Sequence, residues 1–365
     1  MNMNPSSNIL TKIKDFVLPS QGCLGIDIGT TSIKVVEISR QAGEFVLQNY
    51  GILENFGHLE RENAILQDSS LKIMEDATAS LLKKVLEKMK VKAKQAVFSL
   101  PVFSSFTTIM DLPKLSPKEI NQTIPYQARQ YIPIPLSEVM LDWQVLTPLG
   151  QSFSEKTEVL LMAIPSDVIK RYSRIAQLSG VYLKAMELES LSLARSVVND
   201  DLTTLIIDVG SRASTFSVVD KRELRMNYSI DTAGNDFTIS VSRGLNLSPL
   251  AAEELKRNRG LMISSDQQYL PALIIPYLDV IINEARKIMA SYYNQSSREI
   301  KKIILSGGGI LPYGIKDYFQ KEFNLETQIA NPFSKIKYDP TIYPIIQKSG
   351  ASFSIAAGAA LKIFS

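Results

Sequence analysis

The sequence predicts a two-lobed α/β fold with a cleft between the lobes, and three observations predict it. The run Leu24-Gly25-Ile26-Asp27-Ile28-Gly29 recurs half a chain later as Leu205-Ile206-Ile207-Asp208-Val209-Gly210. Each copy continues alike: residues 33–38 and 215–219 read as second strands, residues 45–50 and 224–228 as third strands, and both third strands end in an Asn-Tyr pair. Two meanders of one type opening two halves of similar length point to duplication and pseudo-twofold lobes. Helical patterns follow the meanders, among them 76–90 and 166–179, the latter with Asp167 as cap and Gly180 as stop, which implies layered α/β packing. Finally, 365 residues, 45% of them hydrophobic, exceed what one core usually serves, since single cores stop growing at roughly 250–300 residues.

Residues 97–149 differ from their surroundings. They hold seven of the seventeen prolines and the only tryptophan, Trp143, around a helical stretch at 116–130, and they read as an inserted subdomain. Its apolar and aromatic residues serve either a small core of its own or a partner groove. Within residues 1–20, Ile9, Ile13, Phe16 and Val17 recur at helical spacing with Lys12 and Lys14 between them. This amphipathic segment either touches a membrane or docks on the body of the protein.

Composition excludes several chemistries. Forty basic and 37 acidic residues leave a formal charge of +3, with no basic block to neutralise a row of phosphates, so nucleic acid is not an expected partner. The single cysteine, Cys23, rules out an intramolecular disulfide and a multi-cysteine metal site and fits a reducing, cytoplasmic setting. The single histidine, His58, lies in a loop-like run and accompanies no nucleophile motif, so triad hydrolysis and histidine-based metal catalysis lack their parts. No apolar run reaches the roughly 18–20 residues a membrane span needs.

Four motifs carry the candidate chemistry. In Asp27-Ile28-Gly29-Thr30-Thr31-Ser32, a strand-to-strand turn, Gly29 permits tight geometry, the amides are able to face phosphate oxygens, and three hydroxyls add donors. Asp27 is repelled by phosphate but suited to holding water on Mg²⁺, an oxygen-seeking ion that keeps several waters. One such turn is a common hairpin; its recurrence as Asp208-Val209-Gly210-Ser211 would grip both sides of a triphosphate and set two carboxylates around one metal. Lys34, seven residues after Asp27, either reaches the phosphates or is an ordinary strand lysine. Ile303-Ile304-Leu305-Ser306-Gly307-Gly308-Gly309 runs an apolar strand into three glycines, which either let a flat nucleoside approach the main chain or form a flexible loop. In Ala252-Glu253-Glu254-Leu255-Lys256, Glu253 and Lys256 share one helix face.

In this order and spacing the motifs resemble the two phosphate segments and the adenosine segment of the actin, sugar-kinase and heat-shock-chaperone superfamily. The resemblance implies an actin-like fold, two ribonuclease-H-like lobes, with ATP and Mg²⁺ in the cleft. Gly29, Thr30, Thr31, Ser32 and Lys34 would then meet one side of the phosphates, Gly210 and Ser211 the other, while Gly307, Gly308, Gly309, Glu253 and Lys256 hold the nucleoside and Asp27 and Asp208 hold the metal through water. Glu189, in Glu189-Ser190-Leu191-Ser192-Leu193-Ala194, resembles the first connecting segment, where relatives orient attacking water. Glu187 competes for that alignment. The second connection resembles Ala356-Ala357-Gly358-Ala359-Ala360-Leu361. Arg212 stands where relatives often carry small residues, and either contacts phosphate or blocks it.

Within the superfamily the chain is similar to the type IV pilus assembly family PilM, from about Gly22 to Leu361. Asp27-Ile28-Gly29 running through Ser32-Ile33-Lys34-Val35-Val36-Glu37 matches that family's opening. Leu112-Pro113, Gln127-Ala128-Arg129-Gln130-Tyr131-Ile132-Pro133 and Leu141-Asp142-Trp143-Gln144-Val145-Leu146 match its inserted subdomain 1C, and Ala330-Asn331-Pro332-Phe333 completes the pattern. The resemblance divides the chain into lobe 1 over 21–200, with 1C at about 92–165, and lobe 2 over 201–365, with subdomain 2B at about 232–298. It implies a cytoplasmic scaffold at the inner membrane, touching the membrane indirectly, that binds the N-terminal segment of the membrane protein PilN in a groove between subdomains 1A and 1C and joins other pilus assembly proteins, with self-association left open. Two other readings stand beside it: an FtsA-like cell-division protein, for which the chain lacks a C-terminal amphipathic tail, and a true ATPase or kinase, for which no motif beyond the nucleotide set is present. At most a slow ATPase is expected.

Overall fold

The structure, a computed structural model, describes residues 22–54, 75–149, 156–262 and 269–365. The amphipathic segment at 1–20 and His58 lie outside the described residues.

The first lobe opens with the meander β1 (Cys23–Ile28), β2 (Ser32–Gln41) and β3 (Glu44–Glu54), followed by helix α1 (Glu75–Met89) and strand β4 (Gln95–Leu100). Every residue of β1 is buried, which is why its sequence is a continuous apolar run rather than an alternating one: helices cover both faces of the sheet. The inserted subdomain comes next, with β5 (Phe106–Pro113), α2 (Pro117–Gln127), β6 (Val139–Val145) and β7 (Lys156–Pro165). Its three strands form a separate antiparallel sheet in the order β5-β7-β6, with Ile120, Ile124 and Ala128 from the α2 side closing a small core over Met110, Val159 and Leu161. A capping box starts α2: Ser116 N donates to Glu119 Oε2 at 2.8 Å and Glu119 N donates back to Ser116 Oγ. Residues 97–100, read from the sequence as the start of the insertion, belong to β4 in the first sheet, where Val97, Phe98 and Leu100 are fully buried. The chain then returns through α3 (Ser166–Ser179), β8 (Tyr182–Leu188) and α4 (Glu189–Val197). Pro165 takes the cap position of α3 and Asp167 sits in its first turn, where a carboxylate complements the helix dipole. Gly180 closes the helix at φ 77°.

The second lobe repeats the plan with β9 (Thr204–Val209), β10 (Ser214–Asp220) and β11 (Glu223–Ile230), then α5 (Gly234–Leu245), α6 (Pro249–Arg259) and α7 (Tyr269–Ser296), β12 (Lys302–Ser306), α8 (Ile315–Phe323) and β13 (Glu326–Ile329). The strand orders are β3-β2-β1-β4-β8 and β11-β10-β9-β12-β13, the same topology twice, and a short strand β14 (Ile336–Lys337) extends the first sheet beside β3. The duplication read from two Asp-x-Gly runs is therefore a duplication of whole sheets. After β14 come α9 (Tyr343–Ser349) and α10 (Ser354–Leu361). Helix α10 is buried on all sides and wedges between β1 and α4, close enough that a Cβ on Gly25 would lie 1.8 Å from Ala356 O and one on Gly358 1.7 Å from Ser192 O. Glycine at those two positions is what lets α10 approach both neighbours. No helix of the described residues is long and apolar enough to cross a membrane.

Candidate functional site: two aspartate turns across one cleft

The cleft is built from strand ends. Antiparallel pairing sets Asp27 opposite Lys34 across the β1–β2 hairpin and Asp208 opposite Thr215 across β9–β10, so the seven-residue spacing in each repeat is strand register. The two turns close identically, Gly29 N donating to Ser32 O at 2.9 Å and Gly210 N to Ala213 O at 3.0 Å. Each aspartate also takes a serine from the next parallel strand: Ser99 Oγ donates to Asp27 Oδ1 at 3.1 Å, and Ser306 bonds Asp208.

Charge is concentrated here. Lys34 Nζ lies 3.2 Å from Asp27 Oδ2; burial alone would lower its pKa, but the carboxylates of Asp27, Asp208 and Glu189 together hold it above its usual value. Burial, with Asp27 adding repulsion, pushes the Asp208 carboxyl up. Glu189, at the start of α4, accepts from Val102 N at 3.1 Å and Thr215 Oγ1 at 3.5 Å. Burial, then the neighbouring Asp27 and Asp208, push it up to about 8. Glu187 points into different company. Its carboxylate accepts from Arg195 Nη2 at 2.8 Å and Ser192 Oγ at 2.6 Å, and Lys362 Nζ is 2.9 Å away, so although burial opposes ionisation these partners hold it below the usual range. The two glutamates are placed differently: Glu189 lines the cleft, and Glu187 ties β8 and α4 to the C-terminal segment.

The cleft divides into two chambers that share Thr31, Ser32, Lys34, Asp208, Gly210, Ser211 and Ile355. The near chamber, about 100 Å³, is lined further by Gly307, Gly308, Gly309, Glu253 and Lys256. The far chamber, about 270 Å³, is lined further by Asp27, Gly29, Thr30 and Glu189. Apart from Glu187, the residues singled out in the sequence as site candidates line one chamber or both. Lys256 is buried and donates to Gly234 O (2.9 Å), Thr238 Oγ1 (2.8 Å) and Glu253 Oε2 (2.6 Å); burial lowers its pKa. The glycine turn has a reason beyond ligand access. Gly307 has φ 88°, and a Cβ there would lie 2.3 Å from Val209 O; one on Gly309 would meet Val209 Cγ1 at 2.5 Å. Those two glycines let the turn cross the end of β9, and Gly308 is the one with open space toward the chamber.

Sequence reasoning missed several lining residues. Arg257, directly after Lys256, donates to Glu253 Oε1 at 2.6 Å and pairs across the cleft with Glu54 Oε1 at 2.9 Å. Asn235 and Ser352 line the near chamber, and Phe103, Arg171 and Tyr172 the far one. Arg212, left open in the sequence, lines the far chamber with Arg171, one from each lobe.

Comparisons with known proteins agree with this architecture. The PilM–PilN type IV pilus biogenesis complex contains a chain that superposes with a TM-score of 0.78 at 23% identity, covering 93% of this chain and 98% of that one. MreB5 of Spiroplasma citri bound to ADP superposes with a TM-score of 0.55 at 14% identity, covering 95% and 96%. The cell division protein FtsA of Enterococcus hirae is 22% identical over 350 residues, 85% of this chain and 78% of the relative. These likenesses show the actin-like fold. The family model described as type IV pilus assembly protein PilM matches residues 25–364, nearly the whole chain with both lobes and the insertion, and the chain belongs to that family.

Proposed function

We propose that this chain is an ATP-binding scaffold of type IV pilus assembly whose cleft delivers a bound state rather than a released product. The observation that carries the reading is the pair of identical glycine-closed turns facing each other across one cleft, each beside an aspartate at a strand end. In this reading the phosphates lie between the amides and hydroxyls of Gly29–Ser32 on one side and Gly210–Ser211 on the other, and the terminal phosphate enters the far chamber, where Arg171 and Arg212 arrive from opposite lobes. The nucleoside occupies the near chamber against Gly308, Glu253 and Lys256.

The residues fit Mg²⁺ in one respect that the geometry displays: a cation, the Lys34 ammonium, already sits against Asp27, with Asp208 close enough to raise its pKa. Asp27 and Asp208 would hold the ion through water, as Mg²⁺ favours. Bound there, the ion neutralises phosphate charge. Glu189, with its pKa pushed up to about 8, is mostly protonated at neutral pH, so only a small fraction of it is available as a general base, which supports slow turnover at most.

The partner in this reading is the short cytoplasmic N-terminal segment of a PilN-type inner-membrane protein, docked between the first lobe and the insertion. Exposed Tyr126 and Ile134 of the insertion are apolar anchors of the kind peptide grooves use. The protein then sits on the cytoplasmic face of the membrane through that partner, linking it to other assembly proteins. Calorimetry of Mg·ATP binding tests the reading: binding with little phosphate release, lost in both Asp27→Ala and Asp208→Ala, supports it. Fast multiple turnover would make the chain an enzyme, and no binding would remove the nucleotide from the account.

A further inference from the structure

The insertion is joined by the chain to the first lobe only, at the ends of β4 and α3, yet its polar fastening is to the second lobe. Arg225 on β11 is 3% exposed. Its Nη1 donates to Glu158 Oε2 at 2.9 Å, and its Nη2 donates to Glu223 Oε2 at 2.7 Å and to Thr147 O. Glu223 in turn accepts from Thr147 N at 2.8 Å and from Thr147 Oγ1 at 3.0 Å, and Lys221 Nζ donates to Pro148 O at 2.6 Å. Glu158 lies on β7 and Thr147 and Pro148 follow β6, all in the insertion; Lys221, Glu223 and Arg225 belong to the β10–β11 hairpin of the second lobe.

That hairpin is the continuation of the Asp208 turn, since β10 pairs with β9 from Ser214 to Val219. Whatever moves the second phosphate turn therefore moves the hairpin. Apolar contact is non-directional and tolerates sliding. A buried guanidinium bonded to two carboxylates and a carbonyl fixes one register, because its planar fork matches them and leaving it unpaired strands a buried charge. At the insertion's root the polar link among the described residues is Val102 N to Glu189 Oε1, beside an apolar core that Leu160, Met162 and Ile164 of β7 share with Val168 and Tyr172 of α3. The stronger polar joint is the one to the second lobe.

We propose that the insertion moves as one body with the second lobe, Arg225 being the positioning residue that converts a change in cleft width into a change in the gap between insertion and first lobe. The claim that a nucleotide sets the cleft width rests on the reading under Proposed function; the rigid joint does not. Because that gap is the face assigned to the partner segment, the joint is the route by which cleft and partner sense each other.

Spin-label distance distributions on the full chain test it. Cys23 is fully buried, so cysteines introduced at exposed Ser137 in the insertion, Ala290 on α7 and Lys83 on α1 label selectively. In the nucleotide-free protein the 137–290 distribution is expected to be narrow and the 83–137 distribution broad. Arg225→Ala, and independently the milder Glu158→Ala at a half-exposed site, are expected to lose the narrow 137–290 distribution while thermal unfolding stays cooperative. Arg225→Lys, a point charge without the fork, is expected to restore it only in part. Unchanged 137–290 width in both alanine variants, or a narrow 83–137 distribution in the parent, overturns the joint. Mg·AMPPNP is the second arm. A shift of the 83–137 distance that Arg225→Ala abolishes supports the coupling; a shift that survives Arg225→Ala refutes it. If AMPPNP shifts nothing while the alanine variants still broaden 137–290, the joint stands and the nucleotide reading falls.

Discussion

Replacing Glu189 by glutamine makes the electrostatic account of the cleft measurable. In the nucleotide-free protein this carboxyl sits under Val102 N and Thr215 Oγ1 and faces Asp27 and Asp208, with its pKa pushed from 4.5 up to about 8, by burial first and then by those two carboxylates. A folded-state value above the unfolded one means the folded protein keeps a proton that the unfolded chain releases. The contribution of Glu189 is therefore most favourable below the unfolded pKa and is lost as pH rises through the folded one. At about 1.4 kcal/mol per pH unit the displacement corresponds to up to about 5 kcal/mol, and water in the cleft, which the half-buried side chain reaches, reduces this to ~2–3 kcal/mol. Glutamine keeps the acceptor and the shape but carries no charge at any pH. Urea unfolding of parent and Glu189→Gln without nucleotide or Mg²⁺ is thus expected to give nearly equal stabilities at pH 5 and a variant more stable by ~2–3 kcal/mol at pH 9. A difference that is the same at both pH values, or that grows toward acid, would refute the reasoning, because it would mean the carboxyl ionises in the empty cleft as freely as in the unfolded chain.

Glu187, two residues earlier, is expected to behave with the opposite sign. Its folded-state pKa is lowered, so its contribution is present above the ordinary carboxylate range and lost as pH falls through the folded value. Glu187→Gln, which leaves Arg195 and Lys362 without their carboxylate, is expected to cost ~3 kcal/mol at pH 7 and progressively less toward pH 3, read by the same urea titrations. Gly307→Ala sets a Cβ 2.3 Å from Val209 O at φ 88° and is expected to destabilise by ~2–3 kcal/mol, whereas Gly308→Ala, with only Ser352 Oγ at 3.8 Å, is expected to fold normally and to weaken Mg·ATP binding instead. Equal melting temperatures for the two alanine variants would show that the glycines are there for ligand access alone.

The halves of the site that are local in sequence were legible; those assembled by tertiary packing were not. Asp27 and Lys34 announce themselves because a two-strand hairpin turns a spacing of seven into a cross-strand pair, and the second copy repeats the arithmetic with Asp208 and Thr215. The glycine run was legible as a special backbone, but its cause was only half visible: Gly307 and Gly309 yield to Val209 from another strand, a contact that no local pattern encodes. Residues 97–100 looked like insertion because prolines follow closely, whereas burial in the first sheet decides their place. Arg225 could not have been singled out at all, since an arginine on a strand reads as a solvated side chain until Glu158 and Thr147 are brought to it from the insertion.

In the proposed scaffold reading, Glu189 and Arg225 together give the cleft a route by which it would act as a switch. Glu189 begins α4 in the first lobe, bonds the first turn of the insertion at Val102 and reaches Thr215 on β10 of the second lobe. Arg225 holds the far side of the insertion to the hairpin that β10 shares with β11. The same strand, β10, is thus bonded to the carboxyl at the phosphate turns and carries, through its hairpin, the joint to the insertion. Charge entering the far chamber would act first on Asp27, Asp208 and Glu189, groups whose mutual repulsion Lys34 offsets. In that reading a cation with a polyanion would relieve the repulsion and draw the two turns together, and the hairpin would carry the insertion with them. No bond would need to be broken in the ligand for that displacement to reach the proposed partner face, so a scaffold built this way would function by binding and gain little from rapid hydrolysis.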